Sequence, residues 1–217
     1  MADRKMDADA TFRCVIVGQG SLPLQCAELL LSKGNVICGV VSGDPDLIRW
    51  AHRNEIPHSD LEPTYQELCR FEPFDFLFSI VNPHVLKSDV LEMPARYAIN
   101  YHDGPLPRYG GVHATSWAIM NREKTHGVTW HVMTDRVDAG DILAQPIFAL
   151  DERETAITLN AKCYTAALEA FGAMIEPLQS GAEILRRQDP SERSFYRLYR
   201  RPQAACVLSW QETADAI

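Results

Sequence analysis

Apolar, β-branched runs alternate with helix-forming segments along the first half of the chain. Residues 12–17 form a short apolar run, the string Gly18-Gln19-Gly20-Ser21 follows, and 22–32 is rich in helix formers. Strand, glycine turn and helix open a βαβ unit. Residues 36–42 predict a second strand, Asp44-Pro45-Asp46 leads into a helix through about His52, and 65–71 predicts a short helix. A third buried strand spans 76–81 and closes at Asn82-Pro83. A fourth covers 98–102 and ends at Asp103-Gly104-Pro105-Leu106-Pro107, which no helix can continue. Alternation at these lengths predicts an α/β fold: a mostly parallel, twisted, Rossmann-like sheet with helices on both faces.

After Gly110-Gly111 a helix is expected over 114–120, and then the period changes. Residues 127–133 and 141–150 are β-rich and joined by 134–140, which predicts an added β-hairpin, and 155–178 is a long apolar-striped helix. The polar residues 1–10 are expected to be a disordered leader, 11–185 the main folded domain, and 186–217 a basic linker or the start of a C-terminal extension. Residues 186–201 carry six arginines against Asp189 and Glu192. Ser209-Trp210-Gln211-Glu212 has the capping-box pattern of a new helix, yet the sequence stops at Ile217. The expectation is a piece of a longer protein, or a helix that docks on a partner.

Composition narrows the class. The 217 residues are 46% hydrophobic and 23% charged, enough to build one full core. A net charge of −8 disfavours bulk binding to a phosphate backbone. No apolar run approaches membrane-spanning length, and the start lacks a hydrophobic signal core, so a soluble cytoplasmic protein without membrane contact is expected. The cysteines at 14, 26, 38, 69, 163 and 206 show no C-x-x-C pair, which favours buried thiols over disulfides or zinc. No metal site is expected; His84 and His113, with the surface residues His52, His58 and His126, lack metal spacing.

Three stretches could carry chemistry. Gly18-x-Gly20 sits where a dinucleotide fingerprint would, but its third glycine position is Pro23, so a structural turn is the better reading than NAD binding. Asn100 and His102 share one face at the carboxyl end of a strand, where open α/β sheets bind ligands. They either satisfy the next loop or meet an oxygen that gains negative charge, as acyl transfer requires. Asp138, in the acidic loop 135–141, either is a solvated turn residue or orients His102. His131 could line such a site, with packing inside the hairpin favoured.

The ordered string Asn100-Tyr101-His102, Leu106-Pro107-Arg108-Tyr109-Gly110-Gly111, Ser116-Trp117-Ala118-Ile119, Gly127-Val128-Thr129-Trp130-His131 and Asp138-Ala139-Gly140-Asp141-Ile142-Leu143-Ala144-Gln145 resembles the folate-dependent formyltransferases. That family includes methionyl-tRNA, glycinamide ribonucleotide and amino-sugar formyltransferases. The resemblance implies a formyltransferase fold, 10-formyltetrahydrofolate as donor, and a catalytic set at Asn100, His102 and Asp138. It implies a pterin slot between Ile80, Val81, Asn82, Val85 and Leu86 on one side and Thr134, Asp135 and Val137 on the other. Where the family usually reads His-Pro-Ser-Leu-Leu-Pro, this chain has His102-Asp103-Gly104-Pro105-Leu106-Pro107. That wording, with His113-Ala114-Thr115-Ser116-Trp117, is most similar to formylation domains of nonribosomal peptide synthetases.

The acceptor so implied is an aminoacyl group on a carrier protein, with that protein or neighbouring synthetase domains as partners. The alternatives are an amino-sugar nucleotide or methionyl-tRNA, the latter distinguished by steep salt dependence. A folate-binding domain without catalysis and an NAD-dependent oxidoreductase are the remaining readings. The aromatic residues Phe195, Tyr196, Tyr199 and Trp210 around the basic tail fit packing against a neighbouring domain.

Overall fold

The computed structural model describes residues 11–60, 62–71, 73–202, 207 and 209–213; the leader at 1–10 and Cys206 lie outside them. In chain order the elements are β1 (Arg13–Gly18), α1 (Ser21–Ser32), β2 (Val36–Val41), α2 (Pro45–Arg53), β3 (His58–Ser59), α3 (Tyr65–Leu68), β4 (Phe76–Ile80), α4 (Ser88–Leu91) and β5 (Tyr97–His102). They continue with β6 (Gly110–Gly111), α5 (Ala114–Met120), β7 (Thr125–Gly127), β8 (Thr129–Val132), β9 (Ile142–Ala144), β10 (Ile147–Ala149), α6 (Ala156–Ser180) and β11 (Phe195–Tyr196).

One seven-stranded sheet runs in the order β3-β2-β1-β4-β5-β8-β9. It is parallel from β3 to β5, and β8 and β9 then add antiparallel. The alternation of β4 sorts the core. Phe76, Phe78 and Ile80 face α1 and α6 and join Trp130, Phe171 and Leu30, whereas Leu77 faces α3 and α4 and joins Leu68, Phe71 and Val90. Helices therefore cover both faces, α6 supplying the largest apolar stripe through Leu159, Cys163, Ala167, Phe171 and Leu178. Among the described residues no helix is long and apolar enough to cross a membrane.

Local chemistry explains the boundaries. Pro23 is tolerated in the first turn of α1 because an N–H there has no intrahelical partner. Asp44 caps α2 by accepting from the Asp46 N–H at 2.8 Å, and Gly181 ends α6 at φ 70°. Cys14 and Cys26 are buried as small apolar side chains, and burial pushes both thiols up.

Several expectations change. The hairpin exists as β8 and β9, but the two runs that predicted it are each broken. Gln145-Pro146 splits the second run, since proline cannot donate to a ladder. β10 then pairs with β7 in a separate two-stranded sheet. His126, expected at the surface, lies in β7 and is 1% exposed. The capping-box pattern at 209–212 gives a turn in which the Glu212 N–H donates to Ser209 O at 3.1 Å; no helix forms over 209–213. Phe195 and Tyr196 need no neighbouring domain: Tyr196 stacks on Tyr109 and Trp117 at 5.5 and 4.6 Å, and β11 pairs with β6. Tyr199 and Trp210 remain exposed.

Candidate active site

The carboxyl ends of β4 and β5 hold the polar groups. Ser79 Oγ, at the end of β4, donates to Asn100 Oδ1 at 2.9 Å and so fixes the amide. Asn100 Nδ2 donates to Tyr101 O at 3.0 Å and lies 3.3 Å from His131 Nε2. His131 stands opposite Asn100 in the β5–β8 ladder, which brings it into the cluster. Its Nδ1 donates to Val132 O at 2.9 Å, leaving Nε2 on the cluster side.

His102, two residues along β5, donates from Nε2 to Tyr109 O at 2.8 Å. Its Nδ1 faces carboxylate oxygens of Asp138 at 3.9 Å and Asp103 at 4.0 Å. Asp138 arrives from the β8–β9 loop at φ 52°. Its Oδ2 accepts from the Gly111 N–H at 2.7 Å and its Oδ1 lies 3.6 Å from His131 Nε2. Burial by itself would raise the Asp138 pKa. The charge on His102, the His131 hydrogen bond and the Gly111 amide outweigh it and hold the carboxyl at about 2.

These groups open onto a cavity of about 940 Å³. One wall carries Val81, Asn82, Val85 and Leu86, and the facing loop carries Thr134, Asp135 and Val137. Ile80 is the exception among the expected slot residues: it is 0% exposed and packs in the core, because the alternation of β4 turns it towards α1 and α6. Val85 is 79% exposed, an apolar side chain available to a ligand. The slot walls are locked internally. Asn82 accepts from the His84 N–H at 3.0 Å and donates to His84 O at 3.0 Å. Thr134 Oγ1 donates to Arg136 O at 3.0 Å.

Val81, His113 and Asp138, all on the cavity wall, have φ of 53°, 60° and 52°. Each costs about 1–3 kcal/mol and persists only where its surroundings over-determine it. At Asp138 they do. Arg193 donates to Val137 O at 2.8 Å and to Asp138 O at 2.9 Å, and Gln188 donates to Asp138 O at 3.2 Å and Gly140 O at 2.7 Å. These two tail residues are the site residues that sequence reasoning missed, and His131, for which packing in the hairpin was favoured, joins the cluster. The ladder register would have identified His131; the arginine content of 186–201 marked the tail without indicating its target.

The glycine pair behaves as a turn. A Cβ on Gly18 would lie 1.8 Å from Ile80 O, so that glycine allows β1 and β4 to approach. The Gly20 N–H, at φ 84°, donates to Asp44 Oδ2 at 2.7 Å, so a carboxylate already fills the anion position at the start of α1. Among the described residues, no cluster of His, Cys, Asp and Glu has the geometry to hold a metal ion.

An amide, two imidazoles and a depressed carboxylate beside a large cavity suit acyl chemistry on an uncharged carbonyl. A family profile described as formyl transferase matches residues 51–175, more than half of the chain. The chain belongs to the formyl transferase family. Three solved structures share the Rossmann-like fold of this formyl transferase. An N-formyltransferase from Helicobacter canadensis, solved with folinic acid and dTDP-3-aminofucose, has a TM-score of 0.75 at 20% identity over 94% of this chain and 77% of that one. Glycinamide ribonucleotide transformylase 1 from Symbiobacterium toebii gives 0.72 at 19% identity, over 87% and 99%. WlaRD, a sugar 3N-formyl transferase solved with dTDP and 5-N-formyl-THF, gives 0.71 at 21%, over 86% and 69%. The matched residues of this formyl transferase include Asn100, His102, His131 and Asp138, while the tail residues Gln188 and Arg193 lie beyond them.

Proposed function

We propose that this formyl transferase moves a formyl group from 10-formyltetrahydrofolate to the primary amine of an amino-sugar nucleotide, with Asn100, His102 and Asp138 as the catalytic residues. The observation that carries the reading is the convergence of those three side chains on the floor of the 940 Å³ cavity. Folinic acid and dTDP-3-aminofucose in one solved relative, and 5-N-formyl-THF and dTDP in another, support the donor and the acceptor class. Arg197 on the cavity wall supplies positive charge suited to a diphosphate. The Gly20 amide is already donated to Asp44, so the start of α1 offers no anion site to a phosphorylated acceptor.

The amine attacks the formyl carbon, its new C–N bond forms, and the bond from carbon to N10 breaks as N10 takes the proton. Asn100 Nδ2 and the His102 ring stabilise the oxyanion of the tetrahedral intermediate; losing one such donor costs about 10²–10³-fold in rate. Asp138 keeps His102 oriented and balances its charge, and it relays the amine proton towards N10 through water. The pterin lies between Val81–Leu86 and 134–137, with Leu86 and Val137 on its faces and loop backbone groups at its edge.

The test offers 10-formyltetrahydrofolate with dTDP-3-aminofucose and, in parallel, aminoacyl-pantetheine thioesters, scored by intact mass. Formylation of the amino sugar that is absent with His102→Ala is the expected result. Formylation of the thioester alone would replace the sugar reading by the aminoacyl-carrier one that the His-Asp-Gly-Pro-Leu-Pro wording suggests. Formylation of neither, with the donor bound, would reject both acceptor classes.

A further inference from the structure

We infer that Asp103 is the acceptor-side catalytic residue: its carboxylate accepts an N–H of the incoming primary amine and balances the positive charge that builds on that nitrogen during attack. The inference rests on the formyl-transfer reading and adds to it the recognition of the nucleophile.

Asp103 follows directly on β5 and is 32% exposed on its side chain, at the edge of the cavity. Its Oδ1 lies 4.0 Å from His102 Nδ1, the same nitrogen that Asp138 Oδ1 faces at 3.9 Å. Asp138 also meets His131 Nε2 at 3.6 Å, whereas Asp103 has only its share of the His102 edge. Among the described residues no lysine or arginine lies within ion-pair distance of Asp103. Asp103 thus brings to the reacting centre a carboxylate whose one ion-pair partner among the described residues, His102, is shared with Asp138, and the substrate to be recognised there is an amine.

Asp103 lines the cavity together with residues that belong to neither wall of the expected donor slot. Tyr101 and Tyr164 line the same cavity, their rings 6.2 Å apart, along with Asn160 and Ala161 of α6. Tyr101 is 7% exposed and its hydroxyl is buried without a hydrogen-bond partner among the described residues. Burial first, and the charge of Asp103 among the further causes, raises both phenols. The slot walls at 81–86 and 134–137 belong to other loops, so a donor held there leaves the Tyr101–Tyr164 side to the amine.

The residue is also preorganised. His126 Nε2 donates to Asp103 O at 2.8 Å, which gives that buried imidazole a purpose: it pins the backbone of Asp103. Burial lowers the His126 pKa and favours the neutral ring that donates this bond. Gly104 then keeps the next position open, since a Cβ there would lie 2.9 Å from His102 Nε2.

The chemistry needs such a group. As the amine nitrogen bonds to the formyl carbon it turns cationic while the oxygen turns anionic. Asn100 and His102 meet the oxygen, and Asp103 meets the nitrogen. Because the positive charge appears only as the bond forms, a fixed carboxylate helps the transition state more than the bound substrate. The nitrogen afterwards releases its proton, and N10 carries one when it leaves.

The experiment compares wild type, Asp103→Asn and Asp103→Glu with 10-formyltetrahydrofolate and the two probes, dTDP-3-aminofucose and an aminoacyl-pantetheine thioester. Donor Kd and thermal melting are measured alongside kcat and the acceptor KM. The expected result is a loss of about 100-fold in kcat for Asp103→Asn, with donor Kd and melting unchanged and partial recovery in Asp103→Glu. An Asp103→Asn enzyme within about threefold of an active wild type overturns the inference alone, as does a loss that appears only as lower melting. A wild type that formylates neither probe overturns the proposed function and this inference with it.

Discussion

Asp138 meets two imidazoles and one backbone amide from a left-handed backbone position, while an arginine and a glutamine hold its carbonyl. Its carboxyl, held at about 2, is ionised more readily in the folded chain than in the unfolded one, where about 3.9 is usual. Such a group contributes stability above the unfolded value and loses it as pH falls through the folded one, here between about pH 4 and pH 2. Equilibrium urea unfolding of wild type and Asp138→Asn should therefore diverge by a pH-dependent part of about 2 kcal/mol at pH 6 that shrinks as pH falls towards 2. Parallel stability curves would show that His102 and His131 do not depress this carboxyl. At this scale the sequence was readable where a local rule applied. Asn100 and His102 follow from two-residue alternation at a strand end. Ile80 obeys the same alternation, which turns its side chain into the core while Val81 and Asn82 reach the cavity. His131 depended on what stands opposite in the ladder, which no local pattern reports.

At the scale of elements, residues 186–196 form a strap over the β8–β9 loop. β11 pairs with β6, Tyr109 N–H donates to Ser194 Oγ at 2.8 Å, and Arg193 clamps the two carbonyls at Val137 and Asp138. Through these carbonyls Arg193 would act as a positioning residue for Asp138. Arg193→Ala is expected to lower kcat by about 10–100-fold, as small misplacements of a catalytic group do. Arg193→Lys, which keeps the charge and one donor, should recover part of that loss without changing donor Kd. An unchanged kcat in Arg193→Ala would reduce the strap to packing. The charge of this segment is plain in the sequence. Its target is not, because the carbonyls it holds lie 55 and 56 residues earlier in the chain. The break at Pro146 is the converse case: a missing donor visible in the sequence that splits one apparent strand into β9 and β10.

For the whole molecule, the strand order places the ends of β4 and β5 where the parallel part of the sheet meets its antiparallel edge. The loops after these two strands diverge there, opening the crevice that open α/β sheets use for ligands. The α/β class was legible because period and element length agree over the first half of the chain; the small sheets made by β7 with β10 and by β6 with β11 were not, since strands of two or three residues carry no period. Formyl transfer by one Asn–His–Asp cluster at this crevice is the proposed activity. Its most direct test is a single-turnover measurement with saturating donor and whichever amine the wild type formylates, in wild type, Asn100→Ala, His102→Ala and Asp138→Asn, with donor Kd measured on the same samples. All three variants are expected to lose transfer by at least about 100-fold while donor Kd moves little. Transfer at wild-type rate in any of the three, or donor affinity that collapses together with the rate, would contradict it.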